Sequence, residues 1–323
     1  MNSMKKCLLI MPLNFYSMAS QMQAALKKCG YETILCNDRY PDNLLTKVLW
    51  KAGMTKILYH TTFNQIRKQF LHPGTKYDIC IIIKGYGISK KIIDEIHKCC
   101  PYIVGYNFDS FAFHPLSLSW YKSVDKFYTF DYADALKYNL DIVELYSAIS
   151  DINVPMNKNR KYDISVIQKI HSDRLPYISN VLSILRPRQA FVYLYESNAI
   201  TMLLNVIRHP IEYFKLHRFI HFRTLAYKDY VEILSDSAIT LDFAHPKQSG
   251  ITMRCFEAES CGCKIITNNS ETIKRFGPVS VLIYRGKNDS AETFVTNYKK
   301  LLNSQTEMKQ RTIMDFVNDL IKP

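Results

Sequence analysis

The chain has 323 residues, 47% of them hydrophobic and 22% charged, and 42 Lys and Arg against 29 Asp and Glu give a formal net charge of +13. This length exceeds the size at which a single core stops growing, so we expect two domains, and the composition excludes a disordered or fibrous chain. The positive charge indicates an anionic partner, either a phosphorylated substrate or a membrane surface. No zinc-finger spacing or RNA-binding aromatic motif accompanies the basic residues, so we expect no nucleic-acid partner.

The first half of the chain alternates strand-like and helix-like segments. The N-terminal apolar run is short for a signal peptide and no small-residue cleavage site follows it, so it is predicted as a buried strand. Strands are predicted at 6–13, 31–37, 77–85, 101–109 and 125–131, and helices at 17–30, between 37 and 77, and at 90–99. Gly30 is suited to the C-cap of the first helix. Such alternation predicts a parallel sheet with crossover helices.

The second half repeats this pattern after a polar, proline-containing segment, DINVPMNKNRK at 151–161, which is predicted as a linker. Strands are predicted at 162–168, 191–196, 238–244, 264–268 and 279–285, and helices at 172–185, 227–237, 250–261, 290–303 and 307–322. We therefore expect an N-terminal Rossmann-like domain at 1–155, a second at 156–305, and a C-terminal helix at 306–323 that is free to cross back to the first domain. The fold class is α/β, with two parallel-sheet domains facing across a cleft.

The segment with the clearest chemistry is ITLDFAHPKQSGITMRCFEAESCGCKIITNN, at 239–269. Its predicted helix opens near Gly250 or Thr252, where unpaired N–H groups and the helix dipole attract anions. Arg254, in the first turn, is placed to contact a phosphate. Glu257, three residues later, is placed to accept hydrogen bonds from ribose hydroxyls. Gly262 is expected to end the helix.

Each of these residues also has a purely structural interpretation, and the sequence leaves the choice open. Arg254 and Glu257 can form an ordinary i,i+3 ion pair on a helix surface. Gly250 and Thr252 can serve as a turn and a cap without any ligand. The loop residues that complete the predicted corner around a diphosphate either contact the donor or only shape the loop: His245, Gln248 and Ser249.

The pattern H-P-x-Q-S-G-[hydrophobic]-T-x-R-x-F-E-A at 245–258, followed by K-[hydrophobic]-I-T-x-N, resembles the donor-binding segment of bacterial GT-B glycosyltransferases of lipopolysaccharide core and capsule biosynthesis, related to the CgeB-like group. The segments GYNFDSF (105–111), DKFYTFDYAD (125–134) and YDISVIQKIHSDR (162–174) resemble further segments of that family. The composition is similar to that of a core rhamnosyltransferase-type protein. The chain departs from the family at Gln168-Lys169, where relatives carry glycine, and we expect a bulkier loop there either to narrow the donor site or to change which donor fits.

The resemblance implies transfer of a hexosyl or deoxyhexosyl unit from a nucleotide-sugar donor to a lipid-linked saccharide, with no cofactor and no essential metal. It also implies a cytoplasmic protein that is peripheral on the inner membrane. The sequence agrees with a metal-free site, since it contains no Asp-x-Asp, and Cys261-x-Cys263 lacks a second ligand pair. The nine cysteines, odd in number and often within apolar runs, favour reduced thiols in a cytosol.

An inverting transfer needs a base for the acceptor hydroxyl, and Asp109 is our candidate because it follows a predicted strand; its alternative is a helix N-cap. A retaining transfer needs no such base. The basic segment 40–70, which contains Trp50, Lys47, Lys51 and Arg67, fits either an anionic membrane interface or a core-packed helix with a basic outer face. Two other functions stay open: a GT-B-shaped sugar-nucleotide epimerase, and a non-catalytic saccharide- or nucleotide-binding protein of envelope assembly.

Overall fold

The computed structural model of the chain describes residues 4–13, 18–41, 43, 46, 49, 55–151, 159–286, 289–305 and 309–322. The chain forms two compact units, one of Met1–Glu144 with Ile313–Pro323 and one of Leu145–Thr312. The change of unit lies at 144/145, whereas the sequence suggests 155/156. Of the segment predicted as the linker, residues 152–158 lie outside the described residues.

The strands of the first unit are β1 (Lys5–Met11), β2 (Tyr31–Asn37), β3 (Ile79–Ile83), β4 (Ile103–Asn107), β5 (Lys126–Thr129) and β6 (Asp141–Ile142). Those of the second are β7 (Tyr162–Lys169), β8 (Ala190–Tyr195), β9 (Ile220–His221), β10 (Ser237–Asp242), β11 (Lys264–Thr267) and β12 (Val281–Ile283). All pairings are parallel, and they give two six-stranded sheets.

The helices of the first unit are α1 (Met18–Lys28), α2 (Thr55–Phe70), α3 (Lys90–His97) and α4 (Tyr132–Tyr138). The second unit has α5 (Arg174–Leu185), α6 (Ala199–Arg208), α7 (Pro210–Leu216), α8 (Tyr227–Ser235), α9 (Met253–Ser260), α10 (Ser270–Phe276) and α11 (Ala291–Asn303). The chain then returns to the first unit with α12 (Ile313–Ile321), where Phe316 packs against Tyr106 with ring centroids 5.0 Å apart.

The first sheet has the order β2-β1-β3-β4-β5-β6. Its central strands are continuous apolar runs because helices cover both faces of a crossover-connected parallel sheet. All five residues of β3 are buried, and so are all five of β4. Gly105 in β4 is required by packing, since a Cβ there would lie 2.5 Å from the ring of Phe127.

The second sheet has the order β12-β11-β10-β7-β8-β9. Successive strands run outward from β7 to β9, and the chain then crosses back to β10 on the other side of β7. In such sheets ligands bind beyond the carboxyl ends of the strands at this reversal of strand order. For the second unit the reversal lies between β7 and β10, so the residues that follow Lys169 and Asp242 occupy the expected ligand position.

The predicted fold class, α/β with two Rossmann-like parallel-sheet domains, is confirmed by these two sheets. The ends of β2, predicted at 31–37, are as expected, and the helix predicted to open near Gly250 or Thr252 begins at Met253 with Thr252 at its N-cap position. The helices α6 and α7 were absent from the predicted elements.

None of the helices in the described part of the chain is long and apolar enough to cross a membrane. Helix α2 buries Phe63 and Ile66 in the core of the first unit, so these apolar side chains are not available to a membrane surface. The core-packed interpretation of segment 40–70 therefore applies to the described part of this helix. Trp50, Lys47 and Lys51 lie outside the described residues.

Candidate active site

An ion pair between a buried carboxylate and a partly exposed arginine lies at the carboxyl end of β10. Asp242 is the last residue of that strand and is 1% exposed, while Arg254 lies in the first turn of α9. The Arg254 Nη1 donates to Asp242 Oδ1 over 2.5 Å. The arginine thus pairs with a carboxylate 12 residues earlier, and the predicted surface ion pair with Glu257 is not what the structure shows. A buried charge of this kind requires its partner, because desolvation of either group alone is costly.

Thr252 occupies the N-cap position of α9, but its hydroxyl does not cap the helix. Instead, Thr252 Oγ1 donates to Asp242 Oδ1 over 3.1 Å. The side chain therefore supports the Asp242–Arg254 pair and leaves backbone N–H groups of the first turn without a side-chain cap. A helix N-terminus in this state keeps its affinity for an anion.

A second arginine lies beside this pair, at the carboxyl end of β7. Arg174 is the first residue of α5 and is 8% exposed. Its guanidinium donates to the carbonyls of Lys169 (2.8 Å) and Phe243 (3.1 Å), and so it joins the loops that follow β7 and β10. Burial and the neighbouring Arg254 lower the pKa of Arg174 to about 9. Burial is the larger cause, and a bound anion would offset the smaller one, the repulsion between the two arginines.

Gln168, at the position where the resembling family carries glycine, lies in the same place. Its side chain is 3% exposed, and Nε2 donates to the carbonyl of Leu241 over 2.6 Å. The side chain therefore fills the space between β7 and β10 rather than standing in the loop. Within the described residues, Gln168 Oε1, Arg174 Nε and Asp242 Oδ2 are buried without a hydrogen-bond partner.

Two consecutive asparagines after β11 hold the loop 243–252 in place. Asn268 exchanges hydrogen bonds with the backbone of Ala244, accepting at 2.8 Å and donating at 3.1 Å. Asn269 donates to the carbonyls of Ser249 (3.0 Å) and Gly250 (3.1 Å). Both ends of the loop are thus fixed by side chains from the neighbouring strand, which preorganises the corner predicted to meet a diphosphate.

Glu257 is buried on α9, so the alternative of a surface carboxylate paired with a cation is wrong for this residue. Its two carboxylate oxygens accept hydrogen bonds from Tyr227 (2.9 Å) and Tyr230 (2.7 Å), both on α8. Burial raises the pKa of Glu257, while the hydrogen bonds from Tyr230 and Tyr227 lower it by less. Each oxygen retains one free acceptor direction.

The remaining predicted donor residues lie in the same loop. His245 faces His171 from the β7 loop, with ring centroids 5.8 Å apart, and its Nδ1 accepts from the backbone N–H of Lys247. The backbone N–H of Gln248 donates to the carbonyl of His245 (2.8 Å). Burial, reinforced by the cation Arg174, lowers the pKa of His171 to about 3, so this ring is neutral at neutral pH.

The first unit has its own buried pair at the carboxyl edge of its sheet. Asp109 lies just after β4, and its Oδ2 is 2.8 Å from Nζ of Lys84, the residue that follows β3. Lys84 has a φ of 64°, a left-handed conformation that is costly for a side chain other than glycine and that concentrates at functional sites. Burial lowers the pKa of Lys84, but Asp109 and neighbouring groups raise it by more.

Aromatic and acidic groups surround the Lys84–Asp109 pair. The rings of Tyr86 and His114 are 3.9 Å apart, and the guanidinium of Arg39 lies 4.8 Å from the Tyr86 ring. Asp38 Oδ2 accepts from the backbone N–H of Tyr86 (3.0 Å). Burial lowers the pKa of His114 to about 4. This edge thus combines a carboxylate held in an ion pair with two aromatic rings that pack on each other.

In the described part of the chain, no group of three or more His, Cys, Asp or Glu side chains is placed to hold a metal ion. The described cysteines are free thiols, and Cys261 and Cys263 are both buried.

In comparisons with known proteins, a family model matches part of the second unit. Residues 199–314 match the model of a family described as glycosyl transferase-like, and this range contains all seven predicted donor-binding residues. No curated protein sequence matches the chain.

Solved structures match nearly the whole chain. The glycosyltransferase AviGT4, involved in avilamycin A biosynthesis, aligns over 98% of this chain and 91% of its own, with a TM-score of 0.56 and 9% identity. This is the GT-B fold. A UDP-GlcNAc 2-epimerase from Methanocaldococcus jannaschii, in complex with UDP-GlcNAc and UDP, aligns over 98% of both chains with a TM-score of 0.55 and 11% identity. HepE from Anabaena, in complex with UDP-glucose, covers 97% of this chain and 93% of its own, with a TM-score of 0.54 and 9% identity.

In this GT-B chain the predicted donor residues His245, Gln248, Ser249, Gly250, Thr252, Arg254 and Glu257 all lie in the β10–α9 loop or on α9, and Asp109 lies in the first unit. Residues that sequence reasoning did not single out complete both edges: Lys84, Arg174, Tyr227, Tyr230, Asp242, Asn268 and Asn269. A charged residue at the end of an apolar strand was the available signal for Lys84, which follows ICIII, and for Asp242, which ends SAITLD.

Proposed function

We propose that the chain is a glycosyltransferase that moves a sugar from a nucleotide-sugar donor to a lipid-linked saccharide, such as a lipopolysaccharide core, at the cytoplasmic face of the membrane. The observation that carries the proposal is the pair of arginines, Arg174 and Arg254, at the strand-order reversal of the second sheet. The GT-B fold and the glycosyl transferase-like match at 199–314 support it.

The arginines act on the leaving group. When the bond between the sugar and the diphosphate breaks, negative charge develops on the diphosphate oxygens, and fixed cations and helix N–H groups stabilise that charge. Arg254 and the first turn of α9 supply one such set, and Arg174 supplies a second from the β7 loop. We propose that this arrangement needs no metal ion.

Glu257 binds the ribose of the donor. Tyr227 and Tyr230 orient its carboxylate, and the free acceptor direction on each oxygen is available to the two ribose hydroxyls. His245, Gln248, Ser249, Gly250 and Thr252 form the corner that receives the diphosphate. Asn268 and Asn269 keep that corner in shape, because they hold backbone atoms at both of its ends.

Asp109 takes the proton of the acceptor hydroxyl in an inverting transfer. Lys84 is its positioning residue, since the 2.8 Å ion pair fixes the direction of the carboxylate. The rings of Tyr86 and His114 pack on each other beside this carboxylate, with centroids 3.9 Å apart.

The test measures binding and turnover separately, with uridine diphosphate as the first probe because two of the similar structures hold UDP-sugars. In calorimetric titrations, Glu257→Gln is expected to weaken UDP binding about tenfold, the effect of losing a charge-assisted hydrogen bond. Glu271→Gln, a change of the same type on α10, is the matched control and leaves binding unchanged. Equal affinity in Glu257→Gln and the control would refute the ribose assignment.

Turnover is followed as release of nucleoside diphosphate from a panel of nucleotide sugars with lipid-linked core saccharides. Asp109→Asn is expected to lower kcat by about 10²-fold or more while UDP affinity stays the same, as for the loss of a general base. A kcat in Asp109→Asn equal to that of the unchanged chain would remove Asp109 from catalysis.

An epimerase is the second candidate, because UDP-GlcNAc 2-epimerases align over 98% of this chain. Such an enzyme converts the donor without an acceptor. Conversion of UDP-GlcNAc in the absence of any saccharide acceptor favours the epimerase, and strict dependence on acceptor favours the transferase. Binding of donors without turnover of any of them favours the third possibility, a non-catalytic binding protein.

A further inference from the structure

Helix α6 is amphipathic, yet its apolar side faces solvent. Ile200, Leu203, Leu204 and Ile207 recur at the i, i+3, i+4 and i+7 spacing of one helix face. All four are exposed, with Ile200 at 74% and Ile207 at 69%. In the usual arrangement such a face is buried, so its exposure in a folded unit marks an interaction surface.

The outward orientation of this face is fixed by polar contacts on the opposite side. Asn205 is buried, and its Nδ2 donates over 2.9 Å to Oε2 of Glu196, a fully buried residue. At the start of the helix Asn198 and Thr201 form a capping box. Rotating the apolar face inward would break the Asn205–Glu196 hydrogen bond and leave Glu196 buried without it, which is costly.

The next helix extends the apolar surface. On α7, Leu216 is buried in the core of the second unit, whereas Ile211 and Phe214 are exposed, Phe214 at 77%. We call the six residues Ile200, Leu203, Leu204, Ile207, Ile211 and Phe214 the α6–α7 surface.

Positive charge accompanies this surface. Between the start of α6 and the start of α8 (199–226) the charged residues are Arg208, Lys215, Arg218 and Arg223, opposed by the single acidic residue Glu212. The four basic residues are exposed. This net positive charge disfavours self-association of the surface with a second copy, since like charges would be brought together. Exposed apolar side chains beside basic residues are instead the features of a helix that lies in an anionic lipid interface.

We propose that the α6–α7 surface docks the protein on an anionic phospholipid bilayer, with α6 lying in the plane of the interface. The proposal deepens the proposed function and rests on it for its purpose, since a lipid-linked acceptor is reached at a membrane. It places the docking surface in the second unit rather than on the segment 40–70 that the sequence suggested.

The experiment is co-sedimentation of the full chain with vesicles of phosphatidylcholine and with vesicles of phosphatidylcholine and phosphatidylglycerol. We expect binding to the anionic vesicles and at least tenfold weaker binding to the neutral ones, roughly the effect of several basic residues near a charged surface. The double variant Leu203→Glu with Ile207→Glu is expected to lose at least about tenfold in affinity, because it places two charges in the apolar face. Arg208→Gln with Lys215→Gln is expected to weaken binding to anionic vesicles only.

Leu136→Glu is the matched control, since Leu136 is an apolar residue of α4 that is 89% exposed and lies in the first unit. It is expected to bind vesicles as the unchanged chain does. The affected side chains are exposed, so the thermal unfolding midpoint and UDP affinity of each variant should stay unchanged. If the Leu203→Glu, Ile207→Glu variant nevertheless unfolds at a lower temperature, the Arg208→Gln, Lys215→Gln variant tests the proposal, because it leaves the apolar face intact.

Absence of vesicle binding overturns the proposal, and so does equal binding by the Leu203→Glu, Ile207→Glu variant. A dimer in solution that this variant dissociates also overturns it, because the surface would then serve a second copy. Vesicle binding is measured without donor or acceptor. Binding without any sugar transfer would therefore refute the proposed function alone.

Discussion

The carboxyl edges of the two sheets are built alike but differ in the charged groups that stand outside the ion pair. In each, a cation meets a carboxylate: Lys84 with Asp109 in the first unit and Arg254 with Asp242 in the second. The first edge also holds Asp38 and Arg39. The second edge adds Arg174, which donates to backbone carbonyls, and Glu257, whose carboxylate accepts from two tyrosine hydroxyls.

This difference indicates different ligands. At the second edge we expect the arginine outside the ion pair to suit an anion such as a diphosphate, and the carboxylate held by two tyrosines to suit ligand hydroxyls. The two sites are therefore distinguished by the charged residues outside the ion pair and not by the pair itself.

The largest expected effect comes from breaking each pair on its cationic side. Arg254→Met leaves Asp242, 1% exposed, as a buried unpaired charge and is expected to cost about 3–5 kcal/mol of unfolding free energy. Lys84→Met is expected to cost about 1–2 kcal/mol, because the Asp109 side chain keeps 16% exposure to solvent and is less desolvated than Asp242.

Urea unfolding of the two variants measures the difference. The double variant Arg254→Met with Asp242→Asn is the control, since it removes both charges and should recover part of the loss. Equal costs for Arg254→Met and Lys84→Met would show that the two edges are energetically the same.

A smaller effect is expected for Arg174, the arginine that stands outside the ion pair. Arg174→Gln should weaken UDP binding about tenfold, because it removes a charge-assisted contact to the diphosphate. Lys84→Met, which changes the carboxyl edge of the first sheet, should leave UDP affinity unaltered in the same calorimetric titration. If Arg174→Gln and Lys84→Met bound UDP with equal affinity, Arg174 would have no part in donor binding.

The smallest effect concerns two histidines, one near each edge. The pKa of His171 is lowered to about 3 and that of His114 to about 4, first by burial in both cases. A lowered histidine pKa means that the unfolded chain binds the proton more readily, so stability falls as pH drops below the unfolded value of about 6.5. Each histidine is expected to remove about 1 kcal/mol of unfolding free energy between pH 7 and pH 5.

NMR titration of the two rings separates the edges. Bound UDP brings negative charge to the cations around His171 and should raise the pKa of that ring, while the pKa of His114 stays constant. His171→Gln and His114→Gln assign the NMR signals of the two rings. Each substitution should also remove its histidine's share of the decrease in unfolding free energy between pH 7 and pH 5. An equal response of both rings to UDP would contradict a donor site confined to the second unit.

Much of the fold followed from the sequence because its strands are apolar runs bounded by polar turns. β2 was predicted at its observed ends, and β3 and β4 were recognised by the same signal. Helices α6 and α7 were missed, since their apolar residues do not pack on the sheet and so do not follow the alternation that identified the others.

The sequence identifies site residues that are neighbours along the chain, but it does not identify their partners on other strands and helices. Arg254 and Glu257 were found from their spacing on one helix, but their partners are Asp242 on β10 and Tyr227 and Tyr230 on α8. Such partners come from tertiary contacts that no local pattern encodes. Arg174 appeared only as part of a resembling segment, and its position beside Arg254 depends on the strand order, which sequence alternation does not give.

The two asparagines after β11 have a consequence for altering this protein. Asn268 and Asn269 bind main-chain atoms of Ala244, Ser249 and Gly250, so side chains outside the loop set both of its ends, while His245 Nδ1 accepts from the backbone N–H of Lys247 within it. A library at positions 246–248 that keeps His245, Asn268 and Asn269 is therefore expected to sample new donor preferences while these contacts hold the backbone.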